Sequence, residues 1–278
     1  MKSRPLLLLS LILLMILSPH DGEASNTANI VIEQDAVTLP SLQRNRTLRI
    51  YLPPSYRTSD THYPVLYMHD AQNLFDEKTS YAGEWEVDET LEQLYSTTGF
   101  EVIVVGIDNS PKFRINEYSP WTHAQYGRGE GKQFVADLVT TIKPYIDQHY
   151  RTKSDKANTA ILGSSLGALI SHYALIAYPD TFSKAGLFSP SYWYSDKVWA
   201  FTRHNAVNVE QSRLYLLVGG QEGENMESDM RAMAELLKQS LPNTSAVHAK
   251  VVSQGKHNEG FWQSEFKQAI VWLYGLTE

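Results

Sequence analysis

Ser165 is the central residue of Gly163-Ser164-Ser165-Leu166-Gly167, a G-x-S-x-G pattern that exposes a serine on a sharp strand-to-helix turn. Glycines two residues to either side let neighbouring backbone pass without a Cβ. The same turn aims the next N–H, that of Leu166, at the place where an oxyanion would form. Ser164 lacks this glycine frame. A serine of this kind needs an acid and a histidine, which follow it along the chain in that order. Of the nine histidines, His257 is the one in a loop between the last strand pattern and the last helix pattern, within Gly255-Lys256-His257-Asn258-Glu259-Gly260. His172 falls on the helix after Ser165 and His248 within a strand, where packing is the expected role. His69 ends a strand at the correct edge and is a candidate for a site role, though not for the base. The acid is expected in Gly219-Gly220-Gln221-Glu222-Gly223-Glu224-Asn225. Glu222 is first choice because it is nearest the strand end and has glycines around it; Glu224 is second and Asp196 third. The carboxylate would accept the imidazole N–H and stabilise the imidazolium formed when Ser165 loses its proton.

The elements that must position these groups alternate along the chain. Asn29–Val37 and Thr47–Leu52 read as a leading pair of strands, and Pro64–His69 as a short buried strand. A helix is expected over Trp85–Tyr95 from apolar positions 87, 91 and 94, followed by a strand at Glu101–Ile107. Phe134, Leu138, Ile142 and Ile146 share one helical face, with a kink expected at Pro144. Strands at Thr159–Leu162, Ala185–Phe188, Leu214–Val218 and Val247–Val252 then alternate with helices at Leu166–Tyr178, Met226–Leu241 and Phe261–Tyr274. Such alternation predicts an α/β fold with a mostly parallel central sheet and helices on both faces, its site at the carboxyl ends of the strands. The second oxyanion donor is therefore expected after Pro64–His69, from the backbone N–H of Ala71 or Gln72.

Composition narrows the chemistry further. The 278 residues carry 24 Lys and Arg against 31 Asp and Glu, a formal net charge of −7, with no long basic run to neutralise phosphates. Nucleic acid is thus not an expected partner. The absence of cysteine excludes disulfides, thiolate metal sites and a cysteine nucleophile. The histidines show no H-x-x-x-H or H-E-x-x-H spacing, so neither a metal nor a cofactor is expected. Lys2 and Arg4, the apolar run Leu6–Leu17 and small residues at Gly22 and Ala24 have the order of a secretory signal peptide. Residues 1–24 are read as that leader and 25–278 as a single catalytic domain. The protein is expected to be exported, periplasmic or secreted, with no stable membrane anchor after cleavage.

Three separated stretches carry a resemblance: Tyr63-Pro64-Val65-Leu66-Tyr67-Met68-His69-Asp70-Ala71-Gln72-Asn73-Leu74-Phe75, then Gly163-Ser164-Ser165-Leu166-Gly167, then Ser189-Pro190-Ser191-Tyr192-Trp193. Together they resemble the Putative esterase (esterase D-like) family of the α/β-hydrolase superfamily, from about Leu48 to the C-terminus. That group includes trilactone siderophore esterases and feruloyl and acetyl-xylan esterases. The resemblance implies an α/β-hydrolase fold and a serine esterase with Ser165, Glu222 and His257 as nucleophile, acid and base. It also places Arg114, Tyr118 and Trp193 near the substrate, which would be a small-molecule or carbohydrate-linked ester. Trp121, Tyr192, Trp193 and Trp262 are candidates for an aromatic rim, and Arg114 either attracts an anionic substrate or pairs with Glu117. Ala71 and Ala168 stand where the family commonly has glycine, and Ala71 is expected to tighten the space for the acyl carbonyl. Tyr194 stands where a second tryptophan is common. An acyltransferase using the same acyl-enzyme, or a non-catalytic binding protein on the same fold, would share these features.

Overall fold

A computed structural model describes residues 29–209, 212–241 and 246–277, so the expected leader over 1–24 lies outside the described residues. The strands are β1 (Ile30–Leu39), β2 (Arg44–Tyr51), β3 (Val65–His69), β4 (Ile103–Ile107), β5 (Thr159–Ser164), β6 (Lys184–Phe188), β7 (Arg213–Gly219) and β8 (Val247–Val252). They form one eight-stranded sheet in the order β1-β2-β4-β3-β5-β6-β7-β8. β2 runs antiparallel to both β1 and β4, and every later pairing is parallel. This is the mostly parallel sheet expected from the alternation.

Parallel strands covered on both faces read as continuous apolar runs. Leu214–Val218 in β7 and Val65–Met68 in β3 are accordingly almost without solvent exposure. Successive side chains go to opposite layers, as a strand's two-residue period requires. Leu66 and Met68 pack with helices α1 (Val87–Thr98) and α8 (Glu259–Tyr274), through Leu91, Leu94, Phe266 and Ile270. Val65 and Tyr67 face the other layer. After the short α2 (Arg114–Glu117), that layer holds α3 (Gly131–Asp137), α4 (Lys143–His149), α5 (Leu166–Ala177), α6 (Lys197–Asn205) and α7 (Met226–Ser240).

Three local departures from the sequence pattern have physical causes. The helical face Phe134, Leu138, Ile142, Ile146 is buried throughout, and the disturbance at Pro144 takes the form of a π turn, Leu138–Ile142, between α3 and α4. There Lys143 N–H bonds the carbonyl of Leu138, an i→i−5 step that accommodates a following residue lacking an N–H. β2 starts at Arg44 rather than Thr47, because Arg46 is buried against Glu117 at 2.8 Å and charge hides the strand. Helix α6 was not expected: its inward positions are Val198 and Thr202, and the second is polar.

Candidate active site

β5 leads into Ser165, which has φ 58° and ψ −122°, on the left-handed side of the map that a non-glycine residue rarely enters. Local bonds hold it there. Its N–H donates to Phe188 O at 2.8 Å, and its carbonyl accepts from Leu169 N at 3.1 Å and Ser191 N at 3.2 Å. A Cβ on Gly163 would meet the backbone of Gly167 at 2.6 Å, so this strand can run so close to its following helix only with glycine there. Leu166 is the first residue of α5, and its N–H precedes the first intrahelical bond. Ser165 Oγ is 3.2 Å from Ser191 Oγ, with which it shares a hydrogen bond.

The loops after β7 and β8 are drawn together by glycine. A Cβ on Gly219 would meet Gly255 backbone at 2.3 Å, and Gln221 N donates to Gly255 O at 2.9 Å. This brings His257 Nδ1 to 2.9 Å from Glu222 Oε2. The Glu222 side chain is wholly buried, and its other oxygen accepts from Ser189 Oγ–H and Gly219 N–H, each at 2.6 Å. Ser189 Oγ in turn accepts from Trp262 Nε1 at 2.8 Å, and the His257 ring stands edge-on against the Trp262 ring. With Nδ1–H given to Glu222, the imidazole keeps Nε2 as its acceptor. Glu224 and Asp196, the other acid candidates, are exposed.

Beyond β3, Asp70 turns into a left-handed conformation, φ 57°, and starts a 3-10 turn over Ala71–Asn73. The N–H groups of Ala71 and Gln72 lie before the first bond of that turn, Asn73 N to Asp70 O. Three contacts fix the Asp70 carboxylate: Arg114 Nε at 2.7 Å, Arg114 Nη2 at 2.8 Å and Asn109 Nδ2 at 2.6 Å. Burial alone would raise its pKa, but Arg114 and the donated hydrogen bonds hold it below the usual carboxylate range. Gln72 crosslinks the same loops, donating from Nε2 to Asn109 O and accepting Asn109 N–H on Oε1.

Ser165, His257, Gln72, Asn109, Glu259 and Trp262 line one cleft of about 760 Å³. Other expected residues take different places. Arg114 reaches the cleft, but it pairs bidentately with Asp70 instead of standing free for an anion or pairing with Glu117. Glu117 is fully buried between Arg44 and Arg46. Tyr118 is also fully buried, and its hydroxyl accepts Asp70 N–H at 3.2 Å, behind the cleft floor. Ala71 packs its methyl against Gly106 of β4 and is absent from the cleft lining, so it does not narrow the acyl space.

The aromatic rim is likewise redistributed. Trp121 is buried against Tyr173 and Phe201, and Tyr192 bonds His172 in the core. Trp193 is half exposed outside the lining, which leaves Trp262 as the one member of the four on the cleft. Tyr81, 96% exposed, supplies an aromatic lip that the sequence pattern did not single out. His69 is buried between Tyr118 and Phe134 and does not reach the site. Ser189, Ser191 and the Asp70–Asn109 pair were also missed; the positive φ of Ser189, 48°, is visible only in three dimensions.

The Putative esterase family model matches residues 40–273. The uncharacterized protein YbbA of Bacillus subtilis is 29% identical over 246 residues, covering 83% of this chain and 93% of that protein. An IroE-like serine hydrolase from Shewanella oneidensis superposes with a TM-score of 0.71 at 21% identity, over 88% of this chain and 78% of its own. The enterobactin esterase of Shigella flexneri superposes with a TM-score of 0.68 at 18% identity, over 88% and 58% respectively.

Proposed function

This chain belongs to the Putative esterase family and acts on ester bonds, and we propose that it does so through an acyl-enzyme on Ser165. The observation that carries this reading is the strained Ser165 turn opening into the cleft that His257, backed by Glu222, also lines. Ser165 Oγ swings from Ser191 toward His257 Nε2 and attacks the ester carbonyl carbon as His257 takes its proton. The carbonyl oxygen becomes an oxyanion held by the N–H groups of Leu166 and of Ala71 or Gln72; losing one such donor raises the barrier by about 2.7–4 kcal/mol. Collapse breaks the bond to the alcohol, which leaves with the proton from His257. Water, deprotonated by His257, then repeats the attack and releases the acid.

The substrate is a small-molecule or carbohydrate-linked ester of the siderophore, feruloyl or acetyl-sugar type. The polar wall that Asn73, Thr79 and Ser80 give the cleft beside the Tyr81 lip suits such hydroxyl-bearing groups. Lys2, Arg4 and the apolar run Leu6–Leu17 support export before residues 25–278 act as one catalytic domain. Hydrolysis of p-nitrophenyl acetate and labelling by a fluorophosphonate probe test the reading. Both are expected in the wild type and absent in Ser165→Ala; equal rates in the two proteins would refute it.

A further inference from the structure

Glu84, just before α1, and Asp88 and Glu89, in its first turn, each place one carboxylate oxygen within 4.8 Å of the other two. Asp88 is only 2% exposed, yet its Oδ1 has no hydrogen-bond partner, and neither has the buried Oε1 of Glu84. A helix N-terminus favours carboxylates through its free N–H groups, but here those groups leave Asp88 Oδ1 unanswered. The strongest charges acting on Asp88 are those of Glu89 and Glu84, and on Glu84 those of Glu89, Glu86 and Asp76. Buried carboxylates left without a counter-charge are expensive, and a cation removes that cost.

We propose that Glu84, Asp88 and Glu89 bind a Ca²⁺ ion. An all-oxygen donor set without histidine or cysteine selects a hard cation over zinc or copper. Ca²⁺–oxygen bonds of about 2.3–2.6 Å let oxygens on opposite sides of the ion stand roughly 5 Å apart. Donors drawn from both a loop and a helix suit the irregular shell of Ca²⁺ better than the strict octahedron of Mg²⁺. No pattern in the sequence marks this set, and it revises the expectation of no metal for a structural ion while leaving the chemistry at Ser165 independent of it. The ion would anchor the segment whose Thr79–Ala82 stretch lines the cleft, because Trp85, beside Glu84, is packed against Phe188 and Trp262.

Ca²⁺ titration of the full chain, read by thermal unfolding in Ca²⁺ against EDTA and by displacement of Tb³⁺ luminescence sensitised through Trp85, decides the matter. A saturable rise in Tm with Ca²⁺ is expected, larger than with equal Mg²⁺, together with a Tb³⁺ signal that Ca²⁺ removes. Asp88→Asn and Glu84→Gln are expected to unfold at or above the wild-type Tm in EDTA, since repulsion is relieved, and to lose both responses. A wild-type Tm equal in Ca²⁺ and EDTA would overturn the site. So would a Tb³⁺ signal unchanged in Asp88→Asn, and an equal response to Mg²⁺ would overturn the choice of ion.

Discussion

Glu222 and His257 meet at 2.9 Å through Oε2 and Nδ1, while the second carboxylate oxygen is clamped by Ser189 Oγ and Gly219 N. The acid is therefore fixed from behind before it touches the histidine. Glu222→Gln keeps the shape but removes the charge and offers the ring an alternative tautomer, so kcat is expected to fall by about 10³–10⁴-fold with a small change in Tm. Glu222→Ala also strands the Ser189 and Gly219 donors, adding about 1–3 kcal/mol of lost stability for a buried group left unpaired. Steady-state kinetics beside thermal melts of the two variants separate these effects.

Ser189→Ala removes the bridge between Trp262 and Glu222. It is expected to lower kcat by roughly ten-fold, the scale of one lost hydrogen bond to a charged group, with KM little changed. A wild-type kcat would show that Gly219 N–H alone orients Glu222.

Arg114→Met leaves Asp70 buried without its main counter-charge, and breaking a buried pair in this way costs about 3–5 kcal/mol. Because Asp70 opens the turn that carries the Ala71 and Gln72 N–H groups, kcat is expected to fall as well. Arg114→Lys should rescue little, since it cannot offer two parallel donors to one carboxylate. Urea unfolding and kcat measured on both variants check the pair of effects.

Acid should destabilise the fold through two buried histidines. Burial lowers His172 from 6.5 to about 3 and His69 from 6.5 to about 4. Between pH 6.5 and those values the unfolded chain binds protons that the folded chain refuses. Their stabilising contribution is thus complete above about 6.5 and is lost as pH falls toward 3. The ring nitrogens of His69 have no partners, so His69→Phe removes a titration without removing a hydrogen bond. Its Tm should fall less than that of the wild type between pH 7 and 4, and a parallel decline would refute the assignment.

Much of this architecture could be read from residue order, because strand and helix alternate with clear periods and the Ser165 turn needs glycines at fixed local offsets. That Ser165 and His257 line one cleft and that Glu222 meets His257 could be anticipated, since each sits past a strand end. What escaped depends on partners far apart in the chain. Arg114 and Asp70 are 44 residues apart, and Ser189 and Trp262 are 73 apart. Nothing in the stretch around Arg114 signals that its charge is already taken, or that Tyr118 points its hydroxyl at a backbone N–H. Arg46 shows the same limit from the other side, since a buried ion pair hid the first residues of a strand.

The contact between Gly219 and Gly255 has a mechanical meaning. Six registered residue pairs join β7 to β8, and the Gly220–Val252 and Gln221–Gly255 bonds continue the seam past the strand ends. Glu222 and His257 therefore sit on one continuous seam at the β7–β8 edge of the sheet, while Ser165 is held at the end of β5 by bonds to Phe188 and Ser191. The proposed proton acceptor is thus oriented by its own sheet edge, whatever the position of Ser165.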